Sequence, residues 1–513
     1  KKHNHRLVQS WGLIMDRRRF IRSSLSAAMA ASLPVSNALA QMLVHKPTQV
    51  PGDIDAITGD GSEITLAKAA VQELSDSLKG KLVLPGSSAY DEARTLLSAA
   101  YDKYPALVVQ PTGAADVQRA VEFARENSML LAVKCGGHAA AGTSSCDKGM
   151  QIDLSQMRHA RVDRAAKTAR VAGGSLLGEL DHESMAHGLV TTAGSVSHTG
   201  VGGLTLGGGF GRLQRRFGLT IDNVLEIDIV TPDGKLRRVS AQNEPDLFWA
   251  LRGGGGNFGV ATSFLFQLHE MQRDVVTGFV VYPLAEAKQI LSFYAEYAET
   301  IPEELSLGAG VGARLGQEPG AAMFFVWSGD PADAEKYIAP LRKAGTVVAE
   351  NVQKMDYVAV QRSGDIEDTR TFTGHMKSGF FNALNQELID GLVDNFEAHP
   401  DRATRFGFGR MGGAIGRVGS SDTAFSQRDA NFSMLSFVSW KTGEASDEHI
   451  KYINSHWSHA APFLTGFYVN DYFDQTQEMV NGTYRDNFPR LLKVKQQYDP
   501  TNLFRMNANI QPG

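Results

Sequence analysis

Lys134-Cys135-Gly136-Gly137-His138 is the stretch on which the reading of this chain turns. A histidine directly after a glycine pair, on a turn with uncovered backbone N–H groups, can approach a phosphate closely and present a nucleophilic imidazole. Two further glycine clusters follow. One is Gly200-Val201-Gly202-Gly203 running into Gly207-Gly208-Gly209-Phe210-Gly211, the other Gly253-Gly254-Gly255-Gly256-Asn257-Phe258-Gly259. Three such loops in one region point to a large, flat, multiply charged ligand gripped by backbone.

The 513 residues are 42% apolar and 21% charged, ordinary for a soluble globular chain of about two to four domains. A formal charge of −5 and the lack of a Lys/Arg run beyond the N-terminal region argue against a nucleic-acid partner and for a small-molecule one. Cys135 and Cys146 are the only cysteines. They build no disulfide framework and no zinc spacing, so no metal is expected, and one bridge stays open if the chain is exported.

Met15 reads as a natural start, followed by the basic Asp16-Arg17-Arg18-Arg19-Phe20-Ile21-Arg22 and a small apolar run from Ser23 to Leu39. Ala38-Leu39-Ala40 before Gln41 has the form of a cleavage site. Residues 1–40 are therefore expected to be an upstream extension and a twin-arginine-type signal, giving a periplasmic or secreted protein. The run is too polar to favour a membrane span, so no stable anchor is expected after cleavage.

Periodicity predicts helices from Leu66 to Leu78, Asp91 to Tyr101 and Gly113 to Asn127, with strands at Leu107–Val109 and Leu130–Lys134. This strand-helix-strand unit delivers the chain to the Cys135 turn. Val224 to Pro232, the Asp233-Gly234 turn and Leu236 read as a hairpin. From about Gln272 the glycine clusters stop and amphipathic helices alternate with strand-like segments, which places a domain boundary there. Gly254 to Gly259 satisfies G-x-G-x-x-G literally but lacks the helix and distant acid of a dinucleotide fold, and no P-loop occurs.

Taken jointly, several segments resemble the vanillyl-alcohol-oxidase superfamily. They are Pro105 to Pro111, the Cys135-Gly136-Gly137-His138 turn, Gly207 to Val224, Pro245 to Gly259 and the terminal Asn507-Ala508-Asn509-Ile510. The chain is most similar to the berberine-bridge-enzyme-like FAD-linked oxidoreductases, from about residue 85 to the end.

The resemblance implies an α+β fold. A PCMH-type FAD-binding domain would be formed from both ends of the chain, with a central α/β substrate domain on an antiparallel sheet. The implied division is a lead-in at 41–103, the FAD domain at 104–271, the substrate domain at 272–486, and a returning segment at 487–513. The resemblance places the cofactor against Cys135, Gly136, Gly137, His138, Gly202, Gly203, Gly207, Gly208, Gly209, Gly259, Asn507 and Asn509. It would join His138 to the flavin 8α-methyl carbon. Relatives often add a cysteine link at a position that falls near Val196; no cysteine lies there, so one covalent bond is expected. The Y-x-N-Y segment of the family corresponds to Tyr468-Val469-Asn470-Asp471-Tyr472, making Tyr472, Asp471 and Tyr468 the catalytic candidates. Arg485 stands where glycine is common, and faces either an anionic substrate or solvent. The implied chemistry takes hydride from a small alcohol, sugar, amine or phenolic substrate and passes electrons to oxygen. A dehydrogenase with another acceptor, or a flavin-carrying binding or redox-sensing protein, fits the same residues.

Overall fold

The computed structural model describes residues 47–312, 318–365, 371–399, 403–471 and 473–513, so the expected signal and Tyr472 lie outside the described residues. Among the described residues no helix is long and apolar enough to cross a membrane. Thr48–Gly513 forms one unit, built as the α+β arrangement expected, on three main sheets.

The first sheet contains β1 (Lys81–Val83), β2 (Leu107–Gln110), β3 (Leu131–Lys134) and β4 (Met150–Asp153), in the order β1-β2-β4-β3. β2 and β3 both run parallel to β4. Such strands need a crossover, and the helix Ala114–Glu126 supplies it, burying Val117, Ala120, Val121 and Ala124 at helical spacing. β3 ends at Lys134, so the Cys135 turn emerges at the carboxyl end of a parallel strand, where open α/β sheets present ligand sites. β1 comes from the segment read as a lead-in, which therefore supplies a strand to this sheet.

The helix expected from Asp91 to Tyr101 is shorter, Tyr90–Arg94. The chain leaves it to cover the turn instead: the Leu97 amide donates to Gly137 O at 3.2 Å. Lys134 is buried beside it, 3.7 Å from Asp153, with its ammonium donating to Ala93 O.

The second sheet is antiparallel, β8-β7-β9-β6-β5. Its strands are β5 (Ala160–Asp163), β6 (Thr168–Ala172), β7 (Val224–Val230), β8 (Leu236–Ser240) and β9 (Val260–Gln267). The third glycine cluster joins the helix Pro245–Leu251 to β9. The C-terminal segment clamps that loop. Asn257 donates to Ala508 O at 3.1 Å and accepts from the Ile510 amide at 2.9 Å. Lys495, fully buried, holds Asp499 at 2.7 Å and donates to Asn257 O at 2.8 Å.

The third sheet contains β10 (Asp274–Pro283), β11 (Leu305–Gly312), β12 (Gly320–Trp327), β13 (Ala349–Asp356), β14 (Phe372–Phe381), β15 (Ala403–Arg410) and β16 (Phe432–Lys441). Their order is β13-β10-β12-β11-β15-β16-β14, antiparallel throughout. Alternation divides its faces. Leu307, Ala309, Met323, Phe325, Phe406, Phe408 and Met434 point into one core with residues of the helices Ala287–Tyr297, Ala334–Arg342 and Gln386–Glu397. The residues between them line the opposite face.

Candidate functional site

Two cavities meet in the structure. The first, of ≈390 Å³, is lined by the Cys135 turn, the loops around Gly202 and Gly255, and Met506, Asn507 and Ala508. The second, of ≈1200 Å³, lies over the open face of the third sheet. Met376, Tyr468 and Asp471 line both.

The first cavity is a backbone cradle. Gly137 adopts φ 72°, a left-handed conformation that favours glycine. A Cβ at Gly136 would lie 2.4 Å from the Gly200 amide nitrogen, so the first two glycine loops touch backbone to backbone. At Gly203 a Cβ would meet nothing, and at Gly256 only the Asn507 side chain at 3.8 Å. These faces are open to a ligand. Asn507 Oδ1 is buried and unpartnered, and Asp471, at the junction, is the cavity's one acidic lining residue among those described. Uncovered backbone, an orphan amide oxygen and the lack of carboxylates elsewhere fit a flat anionic dinucleotide such as FAD.

Of the residues expected to hold the cofactor, Cys135, Gly136, Gly137, His138, Gly202, Gly203, Gly259 and Asn507 line this cavity. Gly207, Gly208, Gly209 and Asn509 do not. The three glycines instead make room for the other side of the site: Asn470 packs on Gly207, Tyr468 on Gly208, and the Gly209 amide donates to Tyr468 Oη at 2.9 Å. Asn509 turns its backbone carbonyl to Gln477 at 2.9 Å. Cys135 does not crowd the turn. Its Sγ lies 3.1 Å from Gly173 O and under Gly200, and burial pushes the thiol up to about 11. Cys146 is buried, and both cysteines are free.

His138 Nε2 lies 2.7 Å from His198 Nδ1, while its Nδ1 has a 3.5 Å contact with Thr199 Oγ1. Desolvation, with His198 adding to it, pushes the His138 imidazole down to about 4, so it is neutral at ordinary pH. In the sequence His198 has no setting comparable to that of His138. The fold brings it there because Ser197, one residue earlier, is pinned to Asp365 by amide and hydroxyl, at 2.7 and 2.6 Å. Its place two residues before the second glycine cluster was the available signal.

On the far side, Tyr468 Oη accepts from the Gly209 amide and from Asn470 Nδ2 at 2.7 Å, and burial raises its phenol. Both lone pairs are occupied, which leaves the O–H as a donor. Asp471 has its carboxyl raised to about 6 by desolvation, offset in part by the Ser378 hydroxyl. Arg485 faces neither cavity; it pairs with Asp429 at 2.6 Å. Among the described residues no cluster of three His, Cys, Asp or Glu could hold a metal ion.

Residues 105–240 match a family model described as an FAD binding domain, and residues 467–511 one described as berberine and berberine like. An FAD-linked oxidoreductase of Dictyostelium discoideum is 32% identical over 454 residues, covering 87% of this chain and 98% of that protein. The solved structure of 6-hydroxy-D-nicotine oxidase from Arthrobacter nicotinovorans aligns with a TM-score of 0.77 at 27% identity, over 85% of this chain and 99% of that one. Glucooligosaccharide oxidase from Acremonium strictum, with a 6-S-cysteinyl, 8α-N1-histidyl FAD, shares the fold at 22% identity, with a TM-score of 0.78 over 86% of this chain and 99% of that one.

Proposed function

The chain belongs to the berberine-bridge-enzyme-like FAD-linked oxidoreductases, and from that premise we propose an oxidase that holds FAD through one covalent bond at His138 and removes the substrate proton with Asp471. When bound, FAD supplies the acceptor for the two electrons released by the substrate and a route for them to dioxygen. The backbone of the three glycine loops and the Asn507 side chain would hold it. We assign 104–271 and 487–513 to this task and 272–486 to the substrate.

The chain's own contribution is positional and acid-base. With the proton of His138 on Nε2, donated to His198 Nδ1, the nucleophilic lone pair resides on His138 Nδ1. His198 is placed to take the Nε2 proton that a substituted imidazole would otherwise retain. A thiol raised to about 11 keeps Cys135 protonated and unreactive, which supports a single link. A carboxyl raised to about 6 leaves Asp471 ionised at neutral pH yet basic enough to accept a substrate proton. Tyr468, its lone pairs filled, donates its phenolic proton to the substrate heteroatom.

The observation that supports this reading is the sharing of Met376, Tyr468 and Asp471 by both cavities, at the junction where cofactor and substrate would meet. Two measurements test it. Acid precipitation should leave yellow colour on the wild-type chain and release it from His138→Ala. Asp471→Asn should keep its flavin and lose rapid anaerobic reduction by substrate. Release of all colour from the wild type sinks the covalent bond, and undiminished reduction in Asp471→Asn sinks the base. Export by the twin-arginine route is proposed on Asp16-Arg17-Arg18-Arg19-Phe20 alone. Arg17→Lys with Arg18→Lys should trap the protein inside the cell.

A further inference from the structure

The floor of the larger cavity has an unusual composition. On the open face of the third sheet, β11 presents Gly308, Gly310 and Gly312, and β15 presents Arg405, Gly407 and Gly409. Register sets them side by side: Gly308 opposite Gly409, Gly310 opposite Gly407, Gly312 opposite Arg405. Two adjacent central strands therefore carry few side chains. Gly310, Gly312, Gly407 and Gly409 floor a trench roughly 10 Å wide, bare on both strands at Gly310 and Gly407 and bounded by Phe324 over Gly308 and by Arg405.

Its walls are apolar. Phe279 and Phe324 stand on one side, 41% and 50% exposed, and Leu435, 41% exposed, with Met376 on the other. Phe324 leans over Gly308. Polar groups flank the trench. Asp471 borders the cofactor cavity with Ser378 beside it, and Ser378 lies across Leu435 from Gly407 in the sheet register. Ser433 stands beside Gly409, Arg405 opposite Gly312, and Glu318 lines the cavity too. Among the described lining residues there is no Asn, Gln, His, Lys, Thr or Trp.

We infer that the trench takes a flat aromatic alcohol or amine, two or more rings long, with its single oxidisable group at Asp471 and Ser378, and that it rejects saccharides. A sugar ring carries hydroxyls on all sides, each of which loses water on entry and needs a replacement partner. These walls offer almost none. A flat ring system loses little by leaving water and gains contact with bare backbone below and aromatic rings beside it. The chemistry at Asp471 rests on the oxidase reading; the shape of the trench does not.

Calorimetric titration of the purified holoprotein with biphenyl-4-methanol and with cellotetraose tests this. The wild type should bind the first and give no heat with the second. Gly407→Leu should weaken biphenyl-4-methanol binding about tenfold or more. A Cβ there would lie 3.3 Å from Ala309 O and 3.6 Å from Gly310 Cα, so a shift of a few tenths of an ångström accommodates it. Leu435→Asp, on the wall, is the second variant and should act in the same direction. The inference is overturned if the wild type does not bind biphenyl-4-methanol, if cellotetraose binds more tightly, or if both variants stay within about twofold of wild type. Colourless protein with Gly407-dependent biphenyl-4-methanol binding keeps the trench and removes the flavin; yellow protein that binds cellotetraose does the reverse.

Discussion

Glycine does opposite things in the two halves of this site. In the cofactor cradle it lets backbones touch. A Cβ at Gly136 would lie 2.4 Å from Gly200 N, and one at Gly173 would lie 2.0 Å from Ala261 O. In the trench it removes side chains from a surface whose backbone spacing is that of any antiparallel sheet. A Cβ at Gly407 would lie 3.3 Å from Ala309 O, and one at Gly409 3.2 Å from Ser433 Oγ. The cradle is thus intolerant of an added atom at Gly136 and Gly173, as the trench is at Gly310, where a Cβ would lie 2.4 Å from Phe406 O, whereas Gly407 and Gly409 leave room for one after a small shift of a neighbour.

The largest expected effect lies where the halves meet. Asp471→Asn should lower the rate of substrate oxidation by about 10²–10⁴, the range for a positioned general base. In the wild type that rate should rise as pH rises through about 6, because only the ionised carboxylate accepts a proton, and level off above. Stopped-flow reduction across pH checks this, and the asparagine variant should lose the pH 6 limb.

The next effect separates cradle from trench directly. Gly136→Ala should destabilise the fold by about 3 kcal/mol, since its methyl meets backbone that cannot move aside. Gly407→Ala should stay within about 0.5 kcal/mol of wild type. Thermal denaturation of both variants decides it, and equal losses would erase the contrast. A smaller effect tests the histidine pair. His198→Ala should reduce the acid-stable fraction of bound flavin while total flavin stays the same. His198→Gln, which can still accept a hydrogen bond, should recover part of it. Because His138 stays neutral down to about 4, the acid-stable fraction formed at pH 5.5 should match that formed at pH 7.

The cradle was legible in the sequence because its chemistry is local. A histidine after two glycines, at the end of a predicted strand, carries its meaning within five residues. The trench was not legible. Its glycines, at 308, 310, 312, 407 and 409, are spaced by two and form no cluster, so the glycine signal seemed to stop near Gln272. Alternating glycine within a strand was the sign of a bare face. Only the register between β11 and β15 joins its two parts across nearly a hundred residues of chain. Gly207 to Gly209 misled for a related reason. A cluster announces close approach without saying to what, and here the partners are Tyr468 and Asn470, not the cavity.

By itself the sequence determined the α+β class and FAD through long resemblance to a family, and it singled out the glycine turn with His138 because those residues lie side by side in the chain. Tertiary structure alone decided that His198 reaches His138 and that Asp471 borders both cavities with a carboxyl raised to about 6. It also decided that two glycine-bearing strands lie side by side. Desolvation, hydrogen-bond partners and strand register depend on which distant segments pack together, and no local pattern in the chain encodes that.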